Sequence, residues 1–158
     1  MKYRCLTDEE LQELEEEFKQ FLIANGVHAE EWEELNKKED DRVMQLVEIF
    51  SDIVMEKALT NIKFLEHTTP TDIKAFACFD KEMVLIGVTS ANKALDFTKN
   101  ALADFKDKLS IFKTNKVYSK QREEEVFQLL ESGCSIIDEN RFKKLELAYV
   151  QSIKFSQN

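Results

Sequence analysis

The sequence predicts an α+β fold, with N-terminal helices packed on a small antiparallel sheet of three or four strands and further helices at the C-terminal end. Three observations predict it. Apolar residues recur at the spacing of one helix face through the first sixty positions. The period then drops to two from Ile62 to Phe79, followed by the apolar run Met83–Val88. Helical spacing returns at Leu95, Leu102, Phe105, Leu109 and Phe112, and again from Val126 onward. Antiparallel pairing follows from the short connections between the alternating segments, because parallel strands need long crossovers.

The first helix spans 8–25. Thr7 and Glu10 form a capping box, Leu6 and Leu11 the matching staple, and Asp8, Glu9 and Glu10 suit the positive end of the helix dipole. Leu11, Leu14, Phe18, Phe21 and Leu22 make its apolar face, and Gly26 supplies the left-handed stop. A short helix over 29–38 turns Trp32 and Leu35 inward and its glutamates outward. A third, over 41–59, carries the stripe Val43, Leu46, Val47, Phe50, Ile53 and Val54; Ile49 and Met55 lie outside it, which implies cover on more than one side.

Ile62–His67, Ile73–Phe79 and Met83–Val88 are the three strands, with Pro70 and Asp80-Lys81-Glu82 between them. A helix is placed near 98–108 with Thr98 as its cap, and a fourth strand over Leu109–Lys113. Ser119 caps the next helix, which Gly133 stops; Ile136 and Ile137 add a short extended piece, and Phe142, Leu145 and Tyr149 mark the last helix.

The chain has 158 residues, 43% apolar, which fits one globular domain over 1–158 and excludes a disordered chain. No apolar run approaches a membrane span, and the start lacks the apolar stretch of a signal peptide, so a cytoplasmic location is expected. Residues 1–42 hold 14 acidic and 6 basic side chains, whereas residues 106–122 hold five Lys and one Arg against one Asp. A pI near 4.9 makes nucleic acid an unfavoured partner, because phosphates are neutralised by clustered Lys and Arg. The contrast between the two stretches suits electrostatically guided association with another protein or a second copy.

Gly26, Gly87 and Gly133 are 61 and 46 residues apart, which excludes the phosphate-cradling glycine loops. Cys5, Cys78 and Cys134 form no C-x-x-C pair, and His28 and His67 lack the spacing of a zinc motif. No metal or cofactor is therefore expected. Cys134 follows a helix end, where thiolates are not activated.

Glu66-His67-Thr68-Thr69-Pro70-Thr71-Asp72 is the one stretch where general acid–base chemistry could assemble, with Glu66, His67 and Asp72 as candidate catalytic residues. Neighbours on a strand point to opposite faces, so Glu66 and His67 would not touch there. The stretch otherwise reads as a solvated strand end and turn. Residues 121–149 invite comparison with a helix-turn-helix near the basic stretch, offering Asn140, Arg141, Lys143 and Lys144 to nucleic acid, which would then bind through residues 106–144. Gly133 to Asp138 is longer than that motif's usual turn.

Five segments, KYRCLTDEEL (2–11), GVHAEEW (26–32), IFSDIVMEK (49–57), EHTTPTDIKAF (66–76) and YSKQREEEVFQLLESGCSI (118–136), resemble a family of small bacterial proteins of unknown function. The resemblance spans nearly the whole chain and implies one domain and a cytoplasmic location. It implies no activity, cofactor, partner or catalytic residue. The expectation is a small non-enzymatic cytoplasmic interaction module, with acid–base enzyme and nucleic-acid binder as alternatives.

Overall fold

The computed structural model describes residues 1–102 and 109–156. The chain divides into two compact units, Met1–Leu59 and Thr60–Asn158, and each has its own apolar cluster.

The first unit is helical: α1 (Asp8–Glu13), α2 (Glu15–Ala24), α3 (Ala29–Lys37) and α4 (Asp41–Thr60), whose last residue lies just beyond it. The capping box is present. Glu10 N–H donates to Thr7 Oγ1 at 3.2 Å, and Thr7 N–H to Glu10 Oε2 at 2.8 Å. Arg4 adds two donations to the same carboxylate at 2.9 Å each, and these hold Glu10 down to about 2. The expected single helix over 8–25 is broken at Leu14, where ψ is 24°. Two separate anchors account for the break. Leu6 N–H donates to Ser51 Oγ at 2.9 Å just before α1, while Phe18 of α2 packs on Phe50 with ring centroids 4.9 Å apart. Leu14 absorbs the difference in direction.

At the end of α2, Gly26 takes φ +76°. Its N–H reaches Ile23 O at 3.0 Å, and Val27 N–H reaches Leu22 O at 2.8 Å, the paired closure of a Schellman turn. Trp32 meets Phe18 edge-on at 5.2 Å, which seats α3. The stripe expected on α4 is corrected at Ile53. It is 53% exposed beside Ile49 at 51%, because the contact face runs from Leu46 through Phe50 to Val54 and Val47, and Ile53 lies beyond its Leu46 edge.

The second unit holds a five-stranded antiparallel sheet in the order β4-β3-β2-β1-β5. Its strands are β1 (Phe64–Thr68), β2 (Asp72–Cys78), β3 (Glu82–Ser90), β4 (Leu109–Val117) and β5 (Ser135–Ile136). The count exceeds the expected three or four because Ser135 and Ile136 pair with Glu66 and Leu65 at the outer side of β1. Helix α5 (Arg122–Glu131) precedes β5 and α6 (Glu139–Ser156) follows it.

Register places Glu66, Ala75, Ile86 and Lys113 on one face, and His67, Lys74, Gly87 and Phe112 on the other. On the first face, Ile73, Ala75, Ala77, Ile86 and Val88 bury against Phe142 and Leu145 of α6. Gly87 is required by close approach: a Cβ there would lie 2.1 Å from the Phe112 ring.

Two cap assignments are corrected. None of residues 98–102 is α-helical: 98 and 99 lie in a turn, followed by a bend at 100; Thr98 N–H and hydroxyl both donate to Asp96 Oδ1, so Thr98 is the capped residue and not the cap. The rest of the helix placed near 98–108 lies outside the described residues. Before α5, Gln121 and Glu124 form the capping box in place of Ser119, because the backbone at Ser119 and Lys120 is turned toward the Glu125 carboxylate.

Candidate functional site

Glu66 stands on β1 opposite Ala75, beneath α6. A small residue opposite and a helix above leave it 8% exposed, which corrects the expectation of a wholly solvated turn. Burial alone would raise its pKa. Arg141 of α6 outweighs that by donating from Nε to Oε2 and from Nη2 to Oε1, both at 2.9 Å, and Thr68 Oγ1 donates to Oε1 at 2.8 Å. The carboxyl is therefore held below its ordinary value, and Arg141 in turn is raised. A parallel two-bond fork of this kind is the strongest pairing an arginine and a carboxylate make.

His67 points to the opposite face, across from Lys74. Its ring lies against the turn at Gly133, with Nε2 3.6 Å from where a Cβ would stand on that glycine. Gly133 needs its positive φ of +104° to end α5 there. Asp72 is engaged within its own turn. Its Oδ1 accepts from Thr69 Oγ1 at 2.9 Å, and its N–H donates to the same hydroxyl at 3.0 Å. Of the three residues singled out from sequence, none is hydrogen-bonded to another among the described residues. The structure joins Glu66 to Arg141 instead.

Two further buried charges were not singled out from sequence. Arg122, 7% exposed, donates from Nε and Nη2 to Cys78 O at 3.2 and 3.1 Å, and from Nη2 to Ile62 O. It ties the start of α5 to the ends of β1 and β2. Glu125, 5% exposed, accepts from Lys116 Nζ at 2.5 Å and from Lys120 N–H at 3.3 Å. Burial would raise it, and these donors hold it below its ordinary value. The only hint in the sequence was the run Glu123-Glu124-Glu125 after a basic stretch.

That stretch is thereby partly paired with groups of its own unit. Lys116 and Arg122 are committed as above, and Lys113 meets Glu146 at 3.4 Å. Lys106 and Lys108 lie outside the described residues. Burial pushes the Cys78 thiol up to about 11 and raises Cys134 as well, which leaves both protonated near neutrality.

Among the described residues, no group of three or more His, Cys, Asp and Glu is placed to hold a metal ion, and no helix is long and apolar enough to cross a membrane. A depression of about 320 Å³ lies beside Glu82, Lys113, Asn115 and Tyr149, and it includes none of Glu66, His67 or Asp72.

A family of unknown function (DUF6495) matches residues 1–150. The chain belongs to that family. No curated protein and no solved structure matches it. The DUF6495 match runs through both units and ends within α6, so it includes Glu66, Arg122, Glu125 and Arg141. These side chains hold strands and helices of the second unit together, and as placed they offer no free acid or base.

Proposed function

We propose that this DUF6495 chain is a small non-enzymatic interaction module of the bacterial cytoplasm, which binds another protein or its own copy through charged helical surfaces. One observation carries the reading. Helix α3 presents Glu30, Glu31, Glu33 and Glu34 to solvent, and none has an ion-pair partner among the described residues. They belong to a unit with 17 acidic and 7 basic side chains, a net of −10.

The candidate chemistry lends support by being occupied: Glu66 is clamped by Arg141, and His67 faces away from it. The engagement of Lys113, Lys116, Arg122 and Arg141 within the fold favours a protein partner over nucleic acid. Three cysteines without a disulfide suit a reducing compartment.

Carbodiimide, which couples carboxylates directly to lysines, tests this in cells that make the protein. A partner peptide joined to Glu30–Glu34, from this chain or a foreign one, is expected by mass spectrometry. It should be lost when the four glutamates become glutamine. An α3 that couples to nothing would overturn the reading. So would a catalytic turnover abolished by His67→Ala or Asp72→Asn in a chain that keeps its fold, since that would make the protein an enzyme.

A further inference from the structure

Helix α6 turns Phe142 and Leu145 into the core of the second unit. Its opposite side presents Lys143, Lys144, Leu147, Val150 and Lys154, all exposed. Leu147 and Val150 are 58% and 41% exposed, one turn apart between the lysines. Lys143 has an in-helix partner in Glu139 at 3.1 Å, whereas Lys144 and Lys154 have no ion-pair partner among the described residues. A basic strip with two exposed apolar side chains at its centre is left with only Lys143 paired among the described residues.

The chain itself makes the complement. Helix α3 is acidic on its solvent side and carries no exposed large apolar residue that would need a different mate. Its four glutamates lie within five positions, about 6 Å of helix, and the basic strip from Lys143 to Lys154 runs about 16 Å, at about 1.5 Å per residue. The two strips are opposite in sign, and the shorter acidic one fits within the length of the basic one. We infer that the outward face of α6 docks α3 of a second copy, an inference that rests on the interaction-module reading. Leu147 and Val150 then lose water against Ala29 and the glutamate methylenes, while the lysines meet Glu30, Glu31, Glu33 and Glu34. Facing charges of this kind set orientation and exclude wrong pairings more than they add raw affinity.

Sedimentation of the full chain tests the docking by charge reversal. One variant carries Lys143→Glu, Lys144→Glu and Lys154→Glu; the other carries Glu30→Lys, Glu31→Lys, Glu33→Lys and Glu34→Lys. The wild type should self-associate, each variant alone should associate at least about tenfold more weakly, and an equimolar mixture of the two should recover association. Glutamine versions of the same sites serve where a reversal disturbs folding, read by circular dichroism, and should also weaken association. A wild type that stays monomeric at every concentration, variants that associate like the wild type, or a mixture that stays apart would each overturn the docking. If the wild type is monomeric while carbodiimide still joins α3 to a foreign protein, this inference fails and the interaction reading stands; if α3 couples to nothing, that reading fails first.

Discussion

The two units of this chain handle charge in opposite ways. The first has a net of −10 and buries one polar side chain, the uncharged Ser51. The second, with 14 acidic and 15 basic residues, is nearly neutral and, among its described residues, buries three charged ones, Glu66, Arg122 and Glu125. In the helical unit an aromatic cluster of Phe18, Phe21, Trp32 and Phe50 supplies the packing, and the carboxylates stay in water. In the sheet unit ionic groups tie elements that the register alone leaves loose, above all α5 and α6. Removing a charge should therefore cost much in the second unit and little in the first.

Arg141→Ala should show the largest effect. It leaves the Glu66 carboxylate buried with only Thr68 as a hydrogen-bond donor, and an orphaned buried charge costs up to about 3–5 kcal/mol. Arg141 is 35% exposed at its side chain, so water replaces part of what is lost; about 3 kcal/mol is expected in urea melts. The pH dependence should change sign with it. In the wild type Glu66 lies below its ordinary 4.5, so its contribution is complete above that value and is lost as pH falls through the lower folded value. Without Arg141, burial dominates and raises Glu66, and the variant should gain stability relative to wild type on acidification. A variant with unchanged midpoint and unchanged acid limb would show that the pair is decorative.

Arg122→Ala comes next, at about 2 kcal/mol, because the carbonyls of Cys78 and Ile62 lose a charged donor at a buried site. Arg122→Lys should recover only part, since one ammonium cannot reproduce the guanidinium fork. Full recovery by lysine would mean that charge, and not the fork, holds α5.

What the sequence makes legible follows the same division. The Thr7–Glu10 box and the Gly26 stop need residues a few positions apart, and both are present as read. The alternation that set Glu66 and His67 on opposite faces is equally local. The bond from Arg141 to Glu66 spans 75 positions, and Arg122 reaches back 44 and 60. No periodicity or motif encodes such distances. A two-residue strand such as β5 is too short to carry a period, and the break at Leu14 has neither Gly nor Pro to announce it. The +5 of residues 106–122 is incomplete for a related reason: composition counts charges without showing that Lys113, Lys116 and Arg122 each meet a partner within the unit.

Thr7→Ala brings the comparison back to the first unit and should cost about 1 kcal/mol, the usual worth of an N-cap. It removes one acceptor for Glu10 N–H, while Arg4 still holds the Glu10 carboxylate. A loss of only a few tenths would mean that the end of α1 is pinned by Arg4 and by Leu6 on Ser51 more than by its cap.

The smallest effect is expected from Glu30, Glu31, Glu33 and Glu34, all changed to glutamine, and its smallness is the point. Glu30 and Glu31 lie in the first turn of α3, where the dipole favours anions by some 0.3–1 kcal/mol each when exposed. Against this, Glu30–Glu33, Glu30–Glu34 and Glu31–Glu34 are like-charge pairs three or four positions apart, each unfavourable by about 0.2–0.5 kcal/mol. The two effects nearly cancel, so the urea midpoint should shift by less than about 0.5 kcal/mol, as surface substitutions usually do. A loss well above 1 kcal/mol would show that these carboxylates hold the first unit together through contacts of their own, and the contrast between the units would collapse. A null shift in stability combined with lost coupling to a partner would sharpen it: the first unit's acidity would then serve something outside its own fold.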